Sequence, residues 1–75
     1  MQQTRRLTAI IEREGNGYVA LCPELDVASQ GDSLEEARAN LIEALTLFFE
    51  TADASEVAQR LYTDVFVTQV EVPVG

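Results

Sequence analysis

Residues 30–37 read QGDSLEEA, and this stretch decides the fold because a predicted strand ends and the longest predicted helix begins within it. Glycine at position 31 permits a backbone turn that a residue with a β-carbon resists. Ser33 is a favourable N-cap, and Glu36 follows three residues later, which makes a capping box. The three acidic residues of the stretch place negative charge at the positive end of the helix dipole.

The chain that follows carries apolar residues at helical spacing and predicts a helix from about residue 34 to residue 50. The apolar stripe consists of Leu34, Ala37, Leu41, Ala44, Leu45 and Phe48, widened by Ile42 and Phe49. A stripe this broad needs a sheet beneath it, and the rest of the sequence is interpreted as that sheet.

Three antiparallel strands are predicted before the helix, each with partial alternation of apolar and polar residues. They are residues 7–13, 18–22 and 27–30, joined by a hairpin loop at 14–17 and a turn at 24–26. Glycine and asparagine in the hairpin loop accept positive φ at little cost, and Pro23 ends the second ladder. Ile10 lies on the face opposite Leu7 and Ile11, which indicates that the second face is partly covered too.

The segment after the long helix predicts a short second helix over residues 55–62, capped by Ser55, and a fourth strand over residues 65–72. In that strand Phe66, Val70 and Val72 share one face. The predicted fold class is therefore α+β, a small β-β-β-α-β layer with a possible short helix before the last strand. The fourth strand either closes beside the first by a right-handed crossover or pairs with another subunit.

Length and composition bound the function. Seventy-five residues make one domain, and a chain of that size buries only about 60% of its unfolded surface. Together with 47% apolar residues, this favours a homo-oligomer or a stable partner. The net charge is −8, with five arginines against thirteen acidic residues and no lysine or histidine. This argues against direct binding of nucleic acid phosphates, suits a basic partner and also keeps a small protein soluble.

No targeting signal is expected. The apolar runs fall short of the roughly 20 residues of a membrane span, and the start does not resemble a signal peptide. The single Cys22 excludes an internal disulfide framework and a CxxC metal site. The predicted location is therefore the cytoplasm.

Catalytic chemistry finds little support in these residues. Without histidine, Ser-His and Cys-His catalysis are excluded, and Cys22 is interpreted as a small buried residue. Six carboxylates invite comparison with a divalent-cation site, although turn and helix-start roles explain them more simply. They are Glu12, Glu24, Asp26, Asp32, Glu35 and Glu36. We therefore predict no catalytic residue, cofactor site or metal site, and favour a binding module over an enzyme.

Three segments, read together, resemble the HicB-like antitoxin family. They are residues 17–25 (GYVALCPEL), 29–37 (SQGDSLEEA) and 39–45 (ANLIEAL). The resemblance covers roughly residues 7–50, and residues 66–72 are similar to the ending of the short members. The three segments at this spacing are specific to the family, whereas no single segment would be.

The resemblance implies a degenerate ribonuclease-H-like fold that has lost its catalytic carboxylates, and neutralisation of a HicA-type toxin that cleaves messenger RNA. Such toxins are basic, and the family commonly forms dimers or tetramers. Two departures limit the comparison. Leu25-Asp26-Val27-Ala28 replaces the LPGC loop of many members, and no C-terminal DNA-binding domain follows the single HicB-like domain expected over residues 1–75. Operator binding by this protein alone is not expected.

Candidate contact residues follow from acidity, exposure and pattern rather than from a family motif. For the toxin they are Glu12 and Glu14 at the hairpin and Glu24, Leu25 and Asp26 in the next loop. For the oligomer interface they are Phe48, Phe49, Phe66 and Val70. The alternative functions are an oligomeric regulatory or scaffolding module without a toxin partner and, more remotely, a metal-dependent nuclease.

Overall fold

A computed structural model of the protein describes residues 4–61 and 64–75. Three strands are followed by two helices: β1 (Ile10–Glu14), β2 (Gly17–Cys22), β3 (Val27–Gly31), α1 (Leu34–Thr51) and α2 (Ala54–Leu61). The strands form one antiparallel sheet in the order β1-β2-β3. The α+β class, the β-β-β-α layout and the short second helix predicted from sequence are confirmed.

A tight hairpin sets the register of the sheet. Glu14 pairs with Gly17, and only Gly15, at a φ of 60°, and Asn16 lie between the strands. A two-residue loop needs positive φ, which glycine adopts without strain. The register places Ile11 opposite Ala20 on the face beneath α1, whereas neighbouring residues alternate to the other face. That open face carries the cross-strand row Ile10, Leu21 and Ala28.

The start of α1 forms as the sequence predicts. The Ser33 side chain accepts a hydrogen bond from the Glu36 backbone N–H at 3.1 Å. The Glu36 carboxylate accepts from the backbone N–H of Asp32 at 3.2 Å, one residue before the usual capping-box partner. The first backbone N–H groups of a helix have no partner within the helix, and the Ser33 side chain satisfies that of Glu36. The Glu36 carboxylate satisfies the N–H of Asp32, which lies just before the helix.

From sequence, Gly31 is expected to permit a backbone turn. In the structure its φ lies outside the left-handed region, so its backbone conformation does not require glycine. A β-carbon at this position would lie 2.5 Å from the backbone nitrogen of Ala37. The glycine therefore allows β3 to approach the first turn of α1 closely.

The core is small and lies between the sheet and α1. Its buried side chains come from β2, the following loop and α1: Ala20, Cys22, Leu25, Ala37 and Leu41. The helix packs mainly on β3 and β2 and only slightly on β1. The side-chain amide of Asn40 also donates to the backbone oxygen of Gln30 at 2.8 Å, which occupies part of the β3 edge.

Helix α2 begins at a different cap from the predicted one. Asp53 accepts hydrogen bonds from the backbone N–H of Glu56 at 2.9 Å and from the Ser55 hydroxyl at 2.8 Å. Ser55 therefore lies inside the helix as a donor, because a carboxylate placed three residues before an N–H competes successfully for the cap. The predicted end at Tyr62 lies outside the described residues.

A side chain of α2 fastens this helix to the body of the protein. Arg60 donates to the backbone oxygen of Leu25 at 2.5 Å, and its guanidinium lies 5.1 Å from the ring centre of Phe48. It also pairs with Glu56 at 3.2 Å, one turn earlier. Within the described residues, neither helix is long and apolar enough to cross a membrane.

The fourth strand predicted over residues 65–72 is not formed in the single chain. Residues 64–75 contain no strand, and all of their large apolar side chains except Val65 are exposed. Phe66 is 86% and Val70 78% exposed. A strand exists only when a neighbouring ladder accepts its backbone hydrogen bonds, and the alternating pattern indicates the faces of a strand without specifying that neighbour.

Candidate partner-binding site

The predicted toxin contacts fall at opposite ends of the sheet. Glu12 and Glu14 lie on β1 near the hairpin, whereas the loop at 24–26 follows the far end of β2. Because β2 has six residues, its length separates the two groups by about 20 Å at roughly 3.3 Å per residue. The structure therefore does not bring the five residues into one site.

Leu25 does not have the exposed position expected for a contact residue. Its side chain is 0% exposed and belongs to the core. The turn before β3 directs this apolar side chain inward, while the neighbouring Asp26 remains exposed at a φ of 55°. The prediction that Leu25 is surface-exposed is wrong, because a leucine in so small a protein contributes more to stability when it is buried.

Glu24 fastens the N-terminal segment to the loop. Its carboxylate accepts from the backbone N–H of Thr8 at 3.0 Å and from the Thr8 hydroxyl at 2.7 Å. Partial burial acts to raise the pKa of Glu24, but the hydrogen bonds from Thr8 outweigh it, and the pKa lies below its usual value. These bonds engage the carboxylate within the chain, so Glu24 is a weaker contact candidate than the exposed Asp26.

The hairpin end holds an acidic groove of about 360 Å³. We call it the hairpin groove and define it by its lining residues: Glu14, Gly17, Tyr18, Val19, Gln30, Gly31, Asp32 and Glu36. Three of these are carboxylic acids and none is basic. Glu12 is exposed on β1 but does not line the groove.

The sheet topology assembles the hairpin groove. In an antiparallel meander the end of β3 returns to the start of β2, and Tyr18 pairs with Gly31 in this structure. Asp32 and the first turn of α1 therefore lie beside the hairpin that carries Glu14. Asp32 and Glu36 were assigned only to the helix start from sequence, whereas counting residues back along the strand pairing would have placed them here.

The groove is suited to a cationic group. Its carboxylates come from three separate chain positions and converge on an open depression, where an arginine, lysine or protonated histidine would meet opposite charge. Tyr18 lines the same groove, and the Arg13 guanidinium lies 5.5 Å from its ring centre and donates to its hydroxyl at 3.0 Å. Tyrosine is enriched at the centre of protein–protein interfaces, whereas carboxylates belong more often to their polar rim.

Residues of the kind used in catalysis are held in structural roles. Cys22 is buried, burial raises the pKa of its thiol, and its Sγ lies 3.5 Å from the Glu24 carboxylate. A thiol in this environment is a poor nucleophile. Across residues 4–61 and 64–75, no three His, Cys, Asp or Glu side chains are grouped so that they could hold a metal ion.

The four predicted interface residues divide into two kinds. Phe48 is half-buried against the core and meets Phe49 edge to face, with ring centres 5.7 Å apart. Phe49 is 38% exposed at the end of α1. Phe66 and Val70 lie in the exposed segment that follows α2. Phe48 thus contributes to the fold of the single chain, whereas the other three have surface available for a partner.

Three curated proteins are similar to this chain. A UPF0150 protein of Helicobacter pylori is 43% identical over 53 residues, which cover 69% of this chain and 74% of that protein. Two UPF0150 proteins of a Synechocystis species are 52% identical over 46 residues and 42% identical over 52 residues. These matches span 64% and 66% of the Synechocystis proteins. No family model and no solved structure matches the chain.

Proposed function

The chain belongs to the UPF0150 family, and from this premise we propose that it is a HicB-like antitoxin that binds a HicA-type, messenger-RNA-cleaving toxin and blocks it by occlusion. The protein would act in the cytoplasm without chemistry of its own. The HicB-like segments support this proposal, since they form the β2 hairpin strand and the capped start of α1.

The hairpin groove is the observation that carries the proposal. Toxins of the HicA type are basic, and this groove presents three carboxylates at the edge of a protein whose net charge is −8. Complementary charge accelerates encounter between two proteins and disfavours wrong partners. We place the centre of the toxin interface at Glu14, Asp32 and Glu36, of which only Glu14 is among the five residues chosen from sequence alone.

Occlusion requires only that the antitoxin cover the toxin's RNA-binding surface. A cationic residue that would otherwise meet a phosphate would instead pair with a groove carboxylate, so that RNA and antitoxin compete for the same charge. Tyr18 would add apolar contact beside the ion pairs. Such an interface inhibits by competition and leaves both proteins chemically unchanged.

The test is complex formation with a HicA-type protein, for which the neighbouring reading frame is the first candidate. The two purified proteins should form a stable complex by calorimetry, and the antitoxin should stop cleavage of a reporter RNA. The variant Glu14→Gln/Asp32→Asn/Glu36→Gln should weaken binding by about a hundredfold, since each well-placed interfacial charge contributes on the order of several-fold to tenfold. Glutamine at position 36 preserves the capping box while it removes the charge.

A matched control distinguishes the effect of the groove carboxylates from the effect of the protein's overall negative charge. Glu50→Gln removes a charge near the far end of α1, about 20 Å from Glu36 at 1.5 Å per residue, and should leave affinity almost unchanged. Asp26→Asn tests the opposite end of the sheet, since asparagine tolerates the positive φ of that position. A loss of affinity confined to Asp26→Asn would move the interface to that loop. The absence of any complex at micromolar concentration would contradict the antitoxin proposal and favour an oligomeric module without a toxin partner.

A further inference from the structure

The face of the sheet opposite α1 carries apolar side chains that do not pack on the core. Ile11 and Ala20 point toward the core, so the residues between them along each strand point the other way. Ile10 pairs with Leu21, and Val19 is the next residue of β2 on the same face, so the three side chains are contiguous. All three are half-buried and outside the core. We call them the open-face patch.

The border of the open-face patch is acidic. The charged residues of the three strands on this face are Glu12 and Glu14, and both are exposed. Glu12 pairs with Val19, so its carboxylate lies directly beside the patch. Arg13, which lies between the two glutamates in β1, points to the other face and contacts Tyr18 there. An apolar centre with an acidic border suits a partner that presents apolar and basic side chains together.

Charge disfavours the two occupants that the chain itself could supply. Residues 64–75 are apolar but carry two acidic residues and no basic one, so they would bring negative charge toward Glu12 and Glu14. A second copy placed face to face by a two-fold axis would add its own two glutamates at the same border. Like charges that meet across an interface weaken binding, whereas a basic partner meets opposite charge at both places.

The dimensions and hydrogen bonding of this face suit a helix. Two strand spacings separate β1 from β3, which is about 10 Å, and a helix with its side chains is about 10–12 Å wide. Strands of five or six residues extend about 17–20 Å, or roughly three helical turns. The backbone groups of a sheet point along the sheet, so this face offers only side chains. Its occupant must therefore satisfy its own backbone hydrogen bonds, as a helix does.

We propose that the open-face patch binds an amphipathic helix of the basic toxin. The apolar stripe of that helix lies on Ile10 and Leu21, and its arginines or lysines pair with Glu12 and Glu14. Glu14 and Val19 also line the hairpin groove, so the two surfaces are continuous and one partner covers both. This inference rests on the proposed function and adds to it the apolar centre that ion pairs at the groove do not supply.

The first experiment compares the affinities of antitoxin variants for the HicA-type protein by calorimetry. Leu21→Gln should raise the dissociation constant about tenfold, because the partner covers the part of this half-buried side chain that the sheet leaves exposed. Leu47→Gln is the matched control, since the same change then falls on α1 at a side chain that is 52% exposed, and its dissociation constant should not change. Ile10→Thr keeps a β-branched residue in the strand and repeats the test if Leu21→Gln does not fold.

The outcomes distinguish this inference from the proposed function. If the unmodified protein forms no complex, the antitoxin proposal fails and the docking of a helix on the open-face patch fails with it. If the variant without the three groove charges binds more weakly, but Leu21→Gln and Ile10→Thr both bind as tightly as Leu47→Gln, the inference alone is overturned. A role of Leu21 in self-association rather than in toxin binding would assign the face to a second copy and would also overturn it.

The second experiment locates the contact by nuclear magnetic resonance. Cross-saturation from the unlabelled toxin to the methyl-labelled antitoxin should reach the methyl groups of Ile10, Val19 and Leu21 and leave those of Ile42 on α1 unaffected. Backbone chemical shifts of the toxin segment that approaches these methyl groups should be helical. An extended segment at this place would contradict the proposal, as would contacts between the Phe66 ring and Leu21 within the complex, since residues 64–75 would then cover the face.

Discussion

The backbone of Gly31 lies so close to the first turn of α1 that a methyl group has no space there. A β-carbon would meet backbone atoms of Glu36 and Ala37 at 2.5–3.0 Å, and backbone atoms at a capped helix start have little freedom to shift. This single residue sets the distance between β3 and α1, and with it the position of Asp32 and Glu36 at the hairpin groove.

We expect Gly31→Ala to lower the free energy of unfolding by about 2 kcal/mol, because the added carbon forces the helix away from the sheet. Urea denaturation of the full chain measures the loss. Gly75→Ala is the control for the same chemical change, since nothing lies within 4 Å of a β-carbon there. A Gly31→Ala protein as stable as the Gly75→Ala protein would show that the close approach is not a constraint.

Glu24 makes stability depend on pH in a defined direction. Its pKa in the folded protein lies below the ordinary value of 4.5, so its stabilising contribution is complete above that pH. The contribution is lost as the pH falls through the folded-state pKa. Glu24→Gln should cost about 1 kcal/mol near neutral pH, a modest value because the site is only partly buried. The difference from the unmodified protein should vanish in acid. Thermal unfolding across the pH series measures it, and a constant difference at all pH values would contradict the assignment.

Helix α2 depends on Arg60 more than on its own length. Eight residues are too few for a helix to be stable alone in water, and the apolar side of α2 contributes Leu61 but no fully buried residue. Arg60 supplies the missing attachment through the Leu25 oxygen and the Phe48 ring. It therefore connects α2, α1 and the loop before β3.

We expect Arg60→Met, which keeps most of the aliphatic stem, to increase hydrogen exchange of the α2 amides about tenfold, as local opening becomes easier. The β2 amides should change much less. Arg38→Met removes an exposed arginine from α1 and serves as the control. Equal exchange in the two variants would mean that packing of Leu61 alone holds α2.

The positions of the strands and helices along the chain were easier to predict from sequence than the contacts that these elements make with one another. The three strands and two helices that form begin and end within a few residues of expectation, because local signals such as the Ser33 capping box, the Gly15 turn and Pro23 define those boundaries. Leu25 was misplaced because burial of a loop residue depends on what packs above it, which no local pattern records. The hairpin groove was missed for a related reason, since it exists only once the strand register is known.

At the scale of the whole molecule, the net charge affects how a partner approaches more than any single carboxylate does. A protein with a net charge of −8 and few arginines has a negative field over much of its surface. Removal of one carboxylate away from an interface changes this field little, whereas dissolved salt screens all of it.

If the partner is the basic toxin proposed above, we expect the association rate to fall at least about tenfold between low and high ionic strength, while the dissociation rate changes less. Stopped-flow mixing at several salt concentrations measures both. The variant that lacks the three groove charges should show a shallower dependence than Glu50→Gln. An association rate that does not depend on salt would show that the acidic surface does not contribute to recognition.

The amide of Asn40, bonded to the outer oxygen of Gln30, bears on how far assembly can proceed. A sheet with two equally receptive borders can gain strands on both sides and polymerise into fibres. Here one border is already partly obstructed by a side chain of the same molecule. Addition of a further strand on the β3 side of the sheet is therefore disfavoured.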